Sequence, residues 1–474
     1  MLYIRKVLLV MVLCLLLIPN VSVMAEEQTE EGIYYILVDR FVNGDSSNDI
    51  EINIDDPSAY HGGDLQGIID KIPYLSELGI TTINLSPIMT AASYHGFDPL
   101  DAQSVDPQFG NIAVLQNLVA EANENDIKVI LDFVLSHVDK EHLWVTEQSD
   151  WVSQPSVNQL NEELPTVNLQ NEDVQQYFLE TAVYWMNSTG IDGFHVYVDE
   201  QTPRSFIDEL RQRIQSEKED AFLIVDGMED ENNIDHDFRK EAVDILKQPG
   251  ESLEPLFSHE ITGVHYMESV LTSRFTHETV KEGYHPVTRW KLASTLLYTL
   301  PGSSLFYQGV EVPMDNGEDE PDHRMAELNK EDEEIAQHLE KLAAIRQDSS
   351  ALQNGEMELV AQAGAMSVYK RSAEDQTMYI AINNDTETQT ASLDGIGGDM
   401  QLRGLLEDNI VRQQNDGTYR VILDRETSNI FVLEEDSGFN WFFIAMMVVI
   451  LGGFVAFIVA VSVKNRRMQA KSKN

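Results

Sequence analysis

From residue 65 to residue 225 the chain alternates two kinds of apolar pattern. Stretches with apolar positions three to four apart, at 65–78, 113–123, 174–186 and 203–215, predict helices that bury one face. Each is followed by a short run rich in apolar and β-branched residues, at 81–85, 128–134, 193–197 and 222–225. Strands apolar on both faces belong in a parallel sheet covered by helices. Continued over residues 32–350, the alternation predicts an α/β fold, a (β/α)8 TIM barrel rather than an open sheet. A last helical stretch at 331–346 precedes a change of texture. Short β segments then run through 355–435 with turn signals at Asn383-Asn384-Asp385 and Asn415-Asp416-Gly417, which predicts a small C-terminal β-sandwich.

Two apolar runs lie outside this pattern. Arg5 and Lys6 precede residues 7–18, and small residues end the stretch at Ala25, which predicts a secretory signal over 1–25. Residues 441–463 contain no charge and are long enough to cross a bilayer at about 1.5 Å per residue, which predicts one transmembrane helix. The basic tail 464–474 follows, so by the positive-inside rule it is cytoplasmic and the ectodomain is extracellular, at the cell membrane.

Composition narrows the function classes. Lys and Arg number 32 against 80 Asp and Glu, a net charge of −48, which argues against nucleic acid as a partner. The single cysteine, Cys14, lies in the first apolar run, so the processed chain has neither a disulfide nor a cysteine nucleophile.

Ordered motifs then point to a family. YYILVDRFVNGDSSND (34–49), HGGDLQGIIDKIPYLSELGI (61–80), LSPI, SYHGFDPLD, VDPQFG and IKVILDFVLSHV are followed by LPTVNL, GIDGFHVYVD, TSRF, LPGSSLFYQGVE and PDHR. In order and spacing, residues 32–435 resemble the α-amylase family, glycoside hydrolase family 13. The resemblance implies a catalytic-type barrel with a very short insertion after strand 3 and the family's C-terminal β domain.

It also implies where chemistry belongs, and there the chain departs from the family. Glycoside hydrolysis needs two carboxylates flanking the scissile bond. The resemblance puts the nucleophile at Tyr197 with His195 in place of the preceding Arg, the general acid at Asp226 or Gly227, and the third carboxylate at Leu271. His95, Phe97, Asp132 and His137 occupy substrate-binding positions, and Asn84 stands where Trp is usual. Asp199 and Glu229 each lie two residues beyond a lost position and so face the same side of an extended strand.

The resemblance further implies a structural calcium at Asn43, Asp45, Asn48, Asp49, Gly62 and Asp64, an oxygen-rich set suited to a hard cation. A second family calcium site, near the cleft, is lost at Ser136, Thr166 and Gln201. The expectation is therefore an extracellular, membrane-anchored, catalytically inactive pseudoenzyme that binds an α-glucan oligosaccharide or a membrane protein partner. The alternatives are an active α-glucan hydrolase or transglycosidase using Asp199 and Glu229, and a purely structural ectodomain of a membrane complex.

Overall fold

The computed structural model describes residues 31–471 except 231, 259–260, 318–322, 437 and 439–440. The expected signal segment 1–25 lies outside the described residues. Seven parallel strands form the central sheet: β1 (Gly32–Ile36), β2 (Thr82–Leu85), β3 (Lys128–Val134), β4 (Gly193–Tyr197), β5 (Phe222–Asp226), β6 (Val264–Tyr266) and β7 (Ser303–Tyr307). Their order is β6-β7-β1-β2-β3-β4-β5.

The expected eight-stranded (β/α)8 barrel is thus corrected to seven strands. Between β5 and β6, parallel bridges Val225 to Asn233 and Ile234 to Val264 nearly close the ring. Val225 N donates to Asn232 O (3.1 Å) and Val264 N to Asn233 O (2.9 Å), so residues 232–234 stand where the sixth strand belongs. The five residues from Gly227 to the start of this segment are too few for a helical crossover.

Burial explains the apolar runs. Alternate residues Ile83, Leu85, Val129, Leu131, Phe133, Phe194, Val196 and Phe306 pack outward against the helices. The intervening Ile33, Tyr35, Ile130, Tyr197, Ile224, Val264, Leu305 and Tyr307 fill the barrel interior. Helix Glu172–Thr189 shows how the local signals act: Asn171 caps its first turn, Phe178, Ala182 and Trp185 bury one face, and Gly190 at φ 78° ends it. Trp185 also donates through Nε1 to Ala102 O at 2.8 Å, fixing the helix to the strand Pro99–Val105 that follows β2.

Residues 135–171, after β3, carry a short helix, Leu143–Glu147, and a two-residue pairing of Ser156–Val157 with Glu163–Leu164. The C-terminal domain pairs a six-stranded antiparallel sheet with a two-stranded one, Gln389–Leu393 against Tyr419–Leu423. Arg371 donates to Thr299 O (2.8 Å) and Asn384 Nδ2 to Ile245 O (3.1 Å), joining the domain to the barrel helices through buried hydrogen bonds. Helix Trp441–Lys471 follows, and its segment Ala445–Lys464, mean hydropathy 2.7, has no residue buried against the body.

Candidate active site at the barrel mouth

The C-terminal ends of the strands bring Tyr35, Asn84, Asp132, His195, Tyr197 and Asp226 to one face. Asp132 is fully buried at its centre. One of its oxygens accepts from the hydroxyls of Tyr35 (2.6 Å) and Tyr197 (3.0 Å). The other accepts from Asn84 Nδ2 (2.8 Å) and lies 2.9 Å from His195 Nδ1. A buried carboxylate with four donors is satisfied, and it holds its neighbours in place. Burial, reinforced by the Asp132 charge, raises Tyr35 and Tyr197 well above the ordinary phenol range. Tyr197 therefore remains a neutral phenol and does not replace the lost nucleophile.

Backbone geometry explains the loss at the general-acid position. Gly227 adopts φ 108°, and a Cβ there would lie 1.9 Å from Val198 O. No glutamate fits at 227 on this backbone. Asp226 beside it accepts from His236 Nε2 at 2.8 Å, and His236 Nδ1 meets the Tyr266 hydroxyl at 2.6 Å. The hydrogen bond to Asp226 raises the His236 imidazole above its usual range. His236 and Tyr266 were not legible as site residues, because the chain reaches them through the shortened sixth segment, which has no strand pattern.

The floor of the mouth is filled. Phe97, with no exposed surface, meets Tyr197 edge-on at 5.1 Å between centroids. Val270 is buried and Leu271 packs beside it. What remains is a cavity of about 20 Å³ lined by Tyr35, His195, Tyr197, Asp226, His236 and Leu271, room for one water and not for a sugar. His195 Nε2, which lines it, has no hydrogen-bond partner among the described residues.

Of the expected substrate-binding residues, Phe97 and Asp132 thus lie in the core of the mouth. His137 sits at its rim, with Nδ1 at 3.0 Å from Ser136 Oγ and Nε2 at 2.8 Å from Ser156 Oγ; burial lowers its pKa, and the Asp199 charge opposes the shift. His95 is buried 3.8 Å from Glu162. Asp199 begins the turn after β4, its Oδ1 accepting from Gln201 N at 2.8 Å. Glu229 is exposed in the loop after β5, where its carbonyl accepts from Arg204 at 2.5 Å.

The expected calcium residues gather in one loop. Asn43 Nδ2 donates to Asp49 Oδ1 (2.9 Å), and Asp64 accepts from Gly44 N (3.0 Å) and Asp45 N (2.8 Å). Gly62, at φ 91°, leaves a hollow where a Cβ would strike Asn43 and Asp49. Asn48 Oδ1 is buried without a partner among the described residues. An orphaned buried oxygen among carboxylates and amides fits a hard cation.

Residues 35–159 match the model of the α-amylase catalytic domain, and residues 355–431 that of the α-amylase C-terminal domain. The chain is 29% identical to a cyclomaltodextrinase of Thermoanaerobacter pseudethanolicus, covering 77% of this chain and 72% of that protein. Its identity to neopullulanase 2 of Thermoactinomyces vulgaris is also 29%, over 77% and 71%. Among solved structures, an Anoxybacillus α-amylase superposes with a TM-score of 0.80 at 36% identity, over 86% of this chain and 99% of that one. A Geobacillus thermoleovorans α-amylase solved with acarbose gives 0.79 at 32% identity, over 86% and 99%.

These likenesses overturn the expectation of a catalytically inactive pseudoenzyme, because the relatives matched along most of their length are named as α-glucan hydrolases. Tyr197, Gly227 and Leu271 stand where the resemblance implies carboxylates, and Asp199, Asp226 and Glu229 stand at and just beyond the strand ends. On the identity and coverage of these matches, with both domains recognised in order, the chain belongs to the α-amylase family.

Proposed function

We propose that this protein is an α-glucan hydrolase or transglycosidase that works on α-glucan oligosaccharides at the outer rim of the barrel mouth, with Asp199 and Glu229 as its reacting carboxylates. The observation that carries the reading is the raised floor. Phe97, Tyr197 and Leu271 fill the level where the family acts, so a sugar rests further out. Asp199, in the turn after β4, and Glu229, in the loop after β5, are the first carboxylates the chain offers beyond Tyr197 and Gly227. One carboxylate attacks the anomeric carbon while the other protonates the departing glycosidic oxygen. The names of the relatives support the substrate class, and solved relatives carry acarbose or maltose.

Incubating the full chain with maltotriose and a cyclomaltodextrin, and weighing the products by mass spectrometry, tests it. We expect shortened or transferred glucans from the wild type. We expect a loss of about 10²-fold or more in Glu229→Gln and Asp199→Asn, the scale of a removed acid–base group. No product from the wild type overturns the activity. Equal product from the variants overturns the residue assignment.

We also infer a calcium ion at Asn43, Asp45, Asn48, Asp49, Gly62 and Asp64, where it braces the loop after β1. Saturating calcium stabilises the folded form by mass action, by about 2.7 kcal/mol at a hundredfold excess over Kd. The melting temperature is therefore expected to rise by a few degrees on adding calcium and to fall on chelation, with Asp49→Ala abolishing the response. Residues 445–464 we read as a membrane span on length and hydropathy, so the full chain is expected to stay in the membrane pellet at alkaline pH.

A further inference from the structure

Beside the mouth, three side chains from two separate loops converge. His95 and Asp98 belong to the loop between the paired strands Met89–Ala91 and Pro99–Val105, and Glu162 to the turn joining Ser156–Val157 to Glu163–Leu164. Their donor atoms all lie within 4.8 Å of one another. His95 and Asp98 are each 6% exposed, whereas the Glu162 side chain is 41% exposed and leaves one side open.

The surroundings orient these groups. Ser93 N donates to Asp98 at 3.2 Å. Asn158 Nδ2 donates to the outer oxygen of Glu162 at 3.0 Å, and Asn158 Oδ1 accepts the amides of Leu160 (2.9 Å) and Glu162 (2.8 Å). The Tyr94 and Phe97 rings wall the imidazole at 5.3 and 6.0 Å. Carboxylates taken out of water are paired or coordinate a metal, and fixed outer partners are what ligating side chains use to hold their aim.

We propose that His95, Asp98 and Glu162 form a site for a divalent transition-metal ion of the zinc class, which clamps the 158–164 turn to the barrel mouth. One imidazole nitrogen with two carboxylates suits zinc, and manganese less well, whereas calcium prefers an all-oxygen shell. A tetrahedral zinc sets its ligand atoms about 3.3 Å apart. The 3.8 Å between His95 Nε2 and Glu162 closes to that with a small swing of the half-exposed glutamate. With the metal on Nε2 the ring proton sits on Nδ1. Ser93 Oγ lies 2.8 Å from Nε2 and 3.1 Å from Nδ1, so the metal displaces the first contact, the hydroxyl accepts the Nδ1 proton, and the 3.1 Å bond from Phe97 N is given up. The open side holds water. This inference stands apart from the glycosidase reading.

The full chain, stripped by chelator and then kept in saturating calcium, would be titrated with zinc chloride and with manganese chloride by calorimetry. We expect one zinc per chain with a micromolar or tighter Kd, weaker manganese binding, and slower protease cleavage within 158–164 when zinc is present. Glu162→Gln and His95→Gln should each weaken zinc at least tenfold. Glu162 is half exposed, so its variant keeps the calcium-dependent melting shift of a folded protein. No saturable zinc binding overturns the proposal. So does zinc taken up equally by both variants, which would come from other surface histidines.

Discussion

Replacing Arg274 by methionine is expected to lower the free energy of unfolding by about 3–5 kcal/mol, the scale of breaking a buried ion pair from one side. Arg274 and Glu268 lie 2.5 Å apart with 1% and 2% of their side chains exposed. Arg274 also donates to Gln308 O at 2.8 Å and covers the Tyr307 ring at 3.9 Å, tying the loop after β6 to the end of β7. Methionine keeps much of the volume but leaves the Glu268 carboxylate in the core with the Phe275 amide, 2.6 Å away, as its remaining donor among the described residues. Burial already pushes Glu268 upward against the pull of Arg274, so without the guanidinium it takes up a proton at higher pH. The midpoint of urea unfolding should fall well below that of the wild type. A double variant, Arg274→Met with Glu268→Leu, should recover part of the loss, because no lone charge is then buried. A single variant as stable as the wild type would show that the pair contributes nothing.

The second large effect concerns acid. His265, in β6, is 1% exposed and packs against Phe238 at 4.7 Å. Burial lowers its pKa to about 4 from the usual 6.5. Between those values the unfolded chain binds a proton that the folded chain refuses, so stability falls as pH falls through that window. The neutral imidazole's contribution is complete above pH 6.5 and is lost progressively toward pH 4. At about 1.4 kcal/mol for each tenfold difference in proton affinity between the folded and unfolded chains, this one residue accounts for roughly 3 kcal/mol of the loss. His265→Leu, which has nothing to protonate, should lose about that much less than the wild type between pH 7 and pH 4. Parallel stability curves for the two proteins would exclude His265 as a source of acid lability.

How much of this was legible beforehand follows from the range over which each signal acts. The strand and helix runs were visible because both faces of β2, β3 and β4 are buried, so apolar residues dominate them except at Thr82, Asn84, Lys128, Asp132 and His195. The missing sixth strand was not. Asn232-Asn233-Ile234 takes its place through hydrogen bonds to Val225 and Val264, residues on other strands, and carries no strand pattern of its own. Tyr197 and Leu271 could be recognised as substitutions one at a time. That they join Phe97 to raise the floor depends on strands far apart in the chain.

The six residues proposed to hold calcium could be grouped in the sequence because all lie within a 22-residue stretch, from Asn43 to Asp64, and all can offer oxygen. His95, Asp98 and Glu162 were not, since more than sixty positions separate the first from the last and only the folded loops bring them within 4.8 Å. By itself the sequence determined the alternation of strands and helices, the second domain and the family, because neighbouring residues carry those signals through local periodicity and motif order. Tertiary structure alone decided how the ring closes, what fills its mouth and which distant side chains meet beside it, because those outcomes depend on packing between segments that no local pattern relates.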